Sequence, residues 1–266
     1  MILHGQNILA VASDFDGTII KEGMSAPPSV FFEVVEKLLA QNIPFIAASG
    51  RQYANLRRML HPVADRIQYI AENGCLVIYG GKVIHKSVIP ADTAMELASD
   101  MQLYPDARIL VSGENTSYIV TDDTAYVDLL RNFYHNNVMI LKNYQEIPED
   151  IIKMSIYWEK GIPERPERIF HDKYDRRLQV TDGGNGWLDF NGPGTGKGEA
   201  LEILCRHMGI PVSQVAAFGD NENDLTMLKK AGVSYAVASA RPHVQKEAGY
   251  VCDSVEQVLM DALSRP

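Results

Sequence analysis

Ile8-Leu9-Ala10-Val11-Ala12-Ser13-Asp14-Phe15-Asp16-Gly17-Thr18 sets the architecture of this chain. Ile8 to Ala12 is a short, continuous apolar run, the pattern of a strand buried on both faces. It leads straight into two carboxylates separated by one residue. Downstream, Ser25-Ala26-Pro27-Pro28 predicts a helix start, with a capping hydroxyl and early prolines. Val30, Phe31, Val34, Val35, Leu38 and Leu39 recur at helical spacing until Asn42 stops the helix. Ile43 to Ala48 reads as a second buried strand, ending at Ser49-Gly50-Arg51. Strand, helix, strand implies a parallel pair joined by a right-handed crossover.

The same grammar returns near the C-terminus. A helix is expected from Gly198 to Met208, with Gly209 as its stop. Val215 to Phe218 is another short apolar strand, ending at Gly219-Asp220. A helix through Leu225, Met227 and Leu228, a strand over Val233 to Val237, a short helix after Arg241-Pro242, a strand at Tyr250-Val251 and a helix from Ser254 follow. From Lys82 to about Asn185 the pattern changes. Strands alternate more, as in Ser117-Tyr118-Ile119-Val120 and Lys153-Met154-Ser155-Ile156-Tyr157, and polar turns interrupt them. This predicts an α+β insert within an α/β core, with segments 1–81 and 186–266 forming the core and 82–185 the insert.

Composition bounds the function. The chain has 266 residues, 46% of them hydrophobic and 22% charged, enough for a sizeable buried core. With 25 basic against 34 acidic residues the net charge is −9, which disfavours nucleic acid and anionic membranes as partners. Cys75, Cys205 and Cys252 are far apart and odd in number, so reduced structural thiols are expected. No secretion signal and no apolar run of transmembrane length is visible, and Asn115-Thr116-Ser117 is then a chance glycosylation pattern; a cytoplasmic location is expected.

Four acidic residues fall at two strand ends: Asp14 and Asp16 after the first, Asp220 and Asp224 after a later one. In an open parallel sheet the ligand crevice forms at the carboxyl ends of strands beside a switch in strand order. If the two strands are neighbours, the four carboxylates converge. Two like charges ~4 Å apart repel by about 4 kcal/mol at an effective dielectric near 20. Such a group takes up protons or a metal. All-oxygen ligation points to Mg²⁺, which favours substrate phosphates. Ser49-Gly50-Arg51 offers a hydroxyl and backbone N–H groups at a helix start, suited to phosphate oxygens. Lys197, within Gly194-Thr195-Gly196-Lys197-Gly198, brings a positive charge to offset the nucleophile and the transferring phosphoryl group.

Each piece alone is weak. An isolated Asp-x-Asp is usually a turn, and a lone lysine is usually solvated. The glycine-rich stretch from Gly192 fails as a nucleotide P-loop, with Asn191 where a glycine is needed and Gly198 in place of Ser or Thr. His61, His135, His171 and His207 lack partners at ligand spacing, and Tyr157 and Trp158 read as core. What raises the signal is the order: acid pair, Ser, Lys, acid pair, each after a strand or opening a helix.

On these residues the chain resembles the haloacid dehalogenase-like superfamily. Asp14-Phe15-Asp16-Gly17-Thr18 matches its first motif, Ser49 the second, Lys197 the third and Gly219-Asp220-Asn221-Glu222-Asn223-Asp224 the fourth. With Ala48-Ser49-Gly50-Arg51, Glu72-Asn73-Gly74 and Lys197-Gly198-Glu199-Ala200-Leu201, the whole chain resembles the Cof-type phosphatases with a C2 cap (subfamily IIB). The resemblance implies a doubly wound, Rossmann-like parallel sheet with the insert as an α+β cap. It implies that Asp14 becomes an aspartyl phosphate and that Asp16 protonates the leaving oxygen and then activates water. Asp14, the backbone carbonyl of Asp16 and Asp220 would hold Mg²⁺, with Asp224 as a further ligand or an orienter. Thr18, Ser49, Gly50, Arg51, Lys197 and Asn223 would serve phosphate or substrate, and Asn73 would lie at the seam of core and cap. Ala238-Ser239-Ala240 and Cys252-Asp253-Ser254-Val255-Glu256 depart from the family pattern, outside the four motifs. The expected activity is Mg²⁺-dependent hydrolysis of a small phosphorylated metabolite: a sugar phosphate, pyridoxal phosphate or a flavin precursor. A phosphomutase and a non-catalytic metal- or phosphate-sensing protein are the alternatives. Oligomeric state is not written in these motifs.

Overall fold

The computed structural model describes residues 1–264. Residues 265–266, the end of the expected 186–266 segment, lie outside the described residues. The chain divides into two compact units. Met1–Gly50, Leu56–His85 and the chain from Gly196 onward form the first, and Arg51–Asn55 with Lys86–Thr195 the second.

The first unit holds an eight-stranded sheet in the order Tyr250–Cys252, Val233–Val237, Val215–Gly219, Ala10–Ser13, Phe45–Ala48, Gln68–Ala71, Leu76–Tyr79, Lys82–Lys86. The first six strands run parallel. Ala10–Ser13, Phe45–Ala48, Val215–Gly219 and Val233–Val237 are buried at every position, as strands covered on both faces must be. Leu76–Tyr79 departs from the parallel pattern and pairs antiparallel with Gln68–Ala71. The Glu72–Gly74 turn between them is too short for the crossover that a parallel return needs. Of the helices, Ser29–Ala40 packs with Val255–Leu263, while Lys197–Met208, Leu225–Lys230 and Pro242–Glu247 pack in sequence as a second set. The core is therefore the doubly wound parallel architecture expected.

The first helix begins at Ser29, not at the Ser25 cap read from sequence. Pro28 occupies the cap position at φ −66° and ψ 155° with no side-chain cap bond. Its ring already fixes the extended cap conformation, so no hydroxyl is used. Asn42 ends the helix in the left-handed region at φ 58°. Ser254 does cap the last helix, its hydroxyl accepting from the Gln257 N–H at 3.2 Å. Cys75, Cys205 and Cys252 are buried, and no disulfide joins them. Among the described residues no helix is long and apolar enough to cross a membrane.

The second unit is a six-stranded sheet in the order Val138–Ile140, Ser117–Ile119, Arg108–Ser112, Lys153–Tyr157, Trp187–Asn191, Gln179–Gly184. Helices Ala91–Met101 and Glu164–Tyr174 cover one face, where Leu97, Met101, Phe170 and Tyr174 join Val111, Met154, Ile156, Leu188 and Phe190 in one apolar cluster. Trp158 belongs to that cluster, whereas Tyr157 is half-buried and stacks on Trp187 at 4.7 Å. The units part at residues 85–86 and 195–196, not at 82 and 185. Strand pairing moves both edges. Lys82–Lys86 extends the larger sheet, and Trp187–Asn191 pairs along Lys153–Tyr157 in the smaller one.

Candidate active site

The order of the larger sheet reverses at Ala10–Ser13. From there the chain steps one way through Phe45–Ala48 to Gln68–Ala71, and the other way from Val215–Gly219 to Tyr250–Cys252. Ala10–Ser13 and Val215–Gly219 are neighbours, with Ala10 beside Val215 and Ser13 beside Phe218. Their carboxyl ends open at the switch point, where a doubly wound sheet leaves its crevice. Asp14 and Asp220 are the next residues out.

Phe15 anchors this end of the first strand. It is buried against Phe31 and Phe45 edge-on, with centroids 5.6 and 6.4 Å away. Its carbonyl accepts from the N–H groups of Ile19 at 3.0 Å and Ile20 at 2.7 Å, which curls the chain tightly. Because Phe15 points into the core, its neighbours take different environments: Asp14 is buried and Asp16 is exposed. Gly17 turns the chain at φ +92°, and a Cβ there would lie 2.2 Å from Asp220 Oδ2. Glycine is required at this position on both counts.

Three carboxylates converge, those of Asp14, Asp220 and Asp224, with one oxygen of each within 4.8 Å of the others. The expectation of four is corrected here: the Asp16 side chain is outside the set, because the turn at Gly17 leaves it at the surface. Lys197 opens the helix Lys197–Met208 and is wholly buried. Its Nζ donates to Asp14 Oδ1 at 2.6 Å and to Asp224 Oδ1 at 2.7 Å. This is no solvated lysine. Asp224 Oδ2 accepts the N–H groups of Asp220 at 2.9 Å and Asn221 at 3.1 Å. Asp224 thus ties the lysine to the Asp220 loop. Thr18 Oγ1 donates to Asp220 Oδ1 at 2.9 Å, joining the two strand ends by side chains.

One ammonium against three carboxylates leaves the cluster with excess negative charge, and the titration behaviour follows. Burial raises Asp14 well above the ordinary carboxylate range. Lys197 opposes the rise, and Asp224, Asp220 and Asp16 add to it. Asp220 is pushed up to about 6 by burial and by Asp224, against the pull of Thr18 and Lys197. Burial alone would lower Lys197, but the charges of Asp14 and Asp224 outweigh it and hold the ammonium above its ordinary range.

Asp14 Oδ2 is buried and has no hydrogen-bond partner. An unpaired anionic oxygen in low dielectric costs several kcal/mol unless a cation reaches it. The donors at hand are all hard oxygens, with neither Cys nor His among them. The set therefore fits a divalent cation of the Mg²⁺ type.

A second group of expected residues gathers at the end of the adjacent strand. Ser49 N–H donates to the Ile70 carbonyl at 2.9 Å, and the Ser49 carbonyl accepts from Asn73 N–H at 3.0 Å. Asn73 Oδ1 accepts from Asn223 Nδ2 at 3.0 Å, linking this group to the Asp220–Asp224 loop. A Cβ at Gly50 would stand 2.9 Å from Asn73 Oδ1, so the glycine lets the loops close up. Glu72, Asn73 and Gly74 sit in the left-handed region in succession, at φ 51°, 57° and 99°. Arg51 alone of the expected residues falls in the second unit, where its Nη1 donates to Asn55 Oδ1 at 3.2 Å.

Thr226 was not read from the sequence. Its Oγ1 accepts from Gly198 N–H at 3.0 Å and fixes the helix that carries Lys197. The readable signal was Gly198 itself, since glycine in a helix marks close approach. A Cβ at Gly198 would meet the Thr226 carbonyl group at 2.5 Å. Gly198→Ala is expected to destabilise by about 1–3 kcal/mol, because backbone overlap outweighs a helix-propensity gain of about 1 kcal/mol. Urea unfolding tests this, and a stabilised variant would refute the tight contact.

Comparison with known proteins agrees with this geometry. The haloacid dehalogenase-like hydrolases match residues 11–261. The 5-amino-6-(5-phospho-D-ribitylamino)uracil phosphatase YbjI of Escherichia coli K12 is 26% identical over 262 residues, spanning 95% of this chain and 97% of that one. A phosphoglycolate phosphatase of Methanobrevibacter smithii is 26% identical over 248 residues, 92% of each chain. Among solved structures, SMU.1108c from Streptococcus mutans UA159 superposes with a TM-score of 0.87 at 25% identity, covering 97% of this chain and all of that one. The subclass IIB sugar phosphatase BT4131 shares the fold, with a TM-score of 0.83 at 23% identity over 95% of this chain and 98% of that one.

Proposed function

The chain belongs to the haloacid dehalogenase-like hydrolases, and on that premise we propose that it is a Mg²⁺-dependent phosphatase of small phosphorylated metabolites working through an aspartyl phosphate on Asp14. The observation that carries this reading is the division of labour at Asp14: one carboxylate oxygen is held by Lys197, and the other is buried without a partner at the switch point of the sheet.

The Asp14 carboxylate attacks phosphorus, forming an acyl phosphate as the bond to the leaving oxygen breaks. Asp16, exposed and one residue past the Phe15 anchor, gives its proton to that oxygen. It then takes a proton from the water that opens the acyl phosphate, and phosphate leaves. Splitting one displacement into two lowers each barrier. Lys197 holds Asp14 as an anion and offsets charge on the phosphoryl oxygens. Ser49, the N–H of Gly50, Asn73 and Asn223 bind phosphate oxygens or orient one another; Thr18 fixes Asp220, and Arg51 serves the substrate. Asp224 is the orienter that holds Lys197 and the Asp220 loop. A divalent ion held by Asp14, the Asp16 carbonyl and Asp220 would supply positive charge to the transferring group. The relatives' names differ in substrate, so the proposal stops at small phosphate monoesters.

The test is phosphate release from an aryl phosphate with Mg²⁺ and with a chelator. Release is expected only with the ion, and undiminished release in chelator would overturn the metal dependence. A requirement for a bisphosphate with an isomer as product would mark a mutase instead, and no release across a metabolite panel would end the enzymatic reading.

The pH behaviour gives a second check. Asp14 and Asp220 bind protons more tightly folded than unfolded. The contribution of Asp220 to stability is therefore full below about pH 4 and is lost as pH rises through about 6 in the metal-free protein, and that of Asp14 runs in the same direction. Mg²⁺ at 100 times its Kd is expected to stabilise by about 2.7 kcal/mol at pH 7.5. At pH 5 protons compete, and the thermal shift is expected to be much smaller. Equal shifts at both pH values would show that the ion binds elsewhere.

A further inference from the structure

The second unit contains a cavity of about 300 Å³. It lies where the helix Ala91–Met101 ends, beside the first residues of the strand Arg108–Ser112 and just past the strand Ser117–Ile119. Met101, Ile109 and Val120 give it apolar surface, and Tyr104, Tyr126 and Tyr144 give it three aromatic side chains. Ligand pockets run from about 300 to 1,000 Å³, so this one suits a small molecule. None of these residues has a part in the phosphoryl chemistry proposed above.

The polar groups of the lining are unequally satisfied. Arg108 is paired: Nε donates to Asp123 Oδ2 at 2.9 Å, Nη1 donates to the Asp106 carbonyl at 3.2 Å, and Nη2 lies 2.7 Å from Asp123 Oδ2. Asp123 in turn accepts the Tyr126 N–H at 3.1 Å, capping the helix Thr124–Asp128, and its own N–H donates to Thr121 Oγ1 at 3.0 Å. These bonds tie one wall together and neutralise its guanidinium. Tyr126 is different. It is only 3% exposed, and its hydroxyl has no hydrogen-bond partner. Of the groups that act on its phenol, Tyr144 and Arg108 line the same cavity. Burial holds that phenol well above its ordinary range and pushes Tyr144 up to about 12, so both keep their protons. A buried hydroxyl without an acceptor destabilises a fold, and phenylalanine would fill the same space without that loss.

We infer that this cavity binds a small neutral aromatic molecule that carries a hydrogen-bond acceptor, such as an aromatic amide. Tyrosine rings favour offset or edge-on packing against another ring, a gain beyond the area they bury. Met101, Ile109 and Val120 supply apolar surface for the same ring. The acceptor takes the Tyr126 proton. Thr121 Oγ1 accepts from Asp123 and so keeps its own proton to give. An anion finds Arg108 already held by Asp123, and a cation finds Asp123 already held by Arg108. An aliphatic molecule loses the ring contacts. The inference goes beyond the phosphatase reading, because it assigns a site to residues that reading does not use.

The experiment is titration of the full chain, labelled at its methionine methyl groups, with benzamide. NMR follows the Met101 methyl, which Met101→Leu assigns. Benzoate controls for charge and cyclohexanecarboxamide for the ring. Benzamide is expected to shift the Met101 signal to saturation, with both controls about tenfold weaker. Tyr126→Phe is expected to weaken benzamide binding about tenfold, the loss of one hydrogen bond. Because that hydroxyl has no partner in the fold, the Tm of Tyr126→Phe is expected to equal or exceed that of the parent. Ala107→Leu puts bulk into the half-buried lining and is expected to abolish binding. Asp14→Asn is expected to bind benzamide as the parent does while losing phosphate release, which separates this inference from the phosphatase reading. Failure of benzamide to shift Met101 in the parent overturns the inference, as does undiminished binding in both Tyr126→Phe and Ala107→Leu, or either control binding as tightly as benzamide. A clear fall in Tm for Tyr126→Phe overturns it too, since the hydroxyl would then be bonded within the fold.

Discussion

Asp14→Asn is expected to lower kcat by about four orders of magnitude or more, the scale seen when one member of a nucleophilic unit is removed. The amide keeps the shape of the carboxylate but is a far weaker nucleophile and cannot accept phosphorus as a stable acyl phosphate. Measured phosphate release should fall with little increase in KM, since the groups proposed to grip phosphate are untouched. Stability should move the other way. Burial and three neighbouring carboxylates raise Asp14 well above its ordinary range. Removing that charge relieves repulsion, while Lys197 keeps its 2.7 Å bond to Asp224. The metal-free variant is therefore expected to melt at or above the parent at pH 7.5. A variant that folds and retains the parent rate would remove Asp14 from the role of nucleophile.

Lys197→Met is expected to do both kinds of damage. The lysine is wholly buried and is bonded to both Asp14 and Asp224. Deleting the cation leaves two buried carboxylates uncompensated, which destabilises by about 3–5 kcal/mol. Loss of the charge that steadies the phosphoryl group should lower kcat by about 10²–10³. The sign of the pH dependence distinguishes this cause from lost packing. Without Lys197, Asp14 holds its proton to still higher pH, so the loss of stability should be large at pH 7.5 and shrink near pH 4, where the carboxylates are protonated. Lys197→Arg should not restore activity, because the forked guanidinium does not fit a slot filled by an ammonium. Urea midpoints at the two pH values read the effect, and a pH-independent loss would refute the electrostatic account.

Much of the site was written in local sequence. Ala10–Ser13 and Val215–Gly219 are buried throughout because both faces of a parallel sheet are covered, and each is followed by an acid. That pairing of buried strand and terminal carboxylate is a short-range pattern, so it survives reading in one dimension. Gly17, Gly50, Gly198 and Gly219 were visible for the same reason, as residues without a Cβ beside chemistry. The first helix cap was misplaced because proline and serine both signal a start, and only the backbone angles at Pro28 decide between them.

What the amino-acid order determined, then, is which elements form and which side chains end them, since periodicity, apolar runs and glycine act within a few residues. The tertiary structure alone decided which ends meet. It set Ala10 beside Val215, closed Lys197 onto Asp14 and Asp224, and left the Asp16 side chain out of the carboxylate cluster. It also set one unit boundary within the strand Lys82–Lys86 and the other past the strand Trp187–Asn191, and ranked Ser112, Lys153 and Asn191 across one sheet face. These are contacts between residues tens to hundreds of positions apart. They depend on strand order and register, which no local pattern encodes.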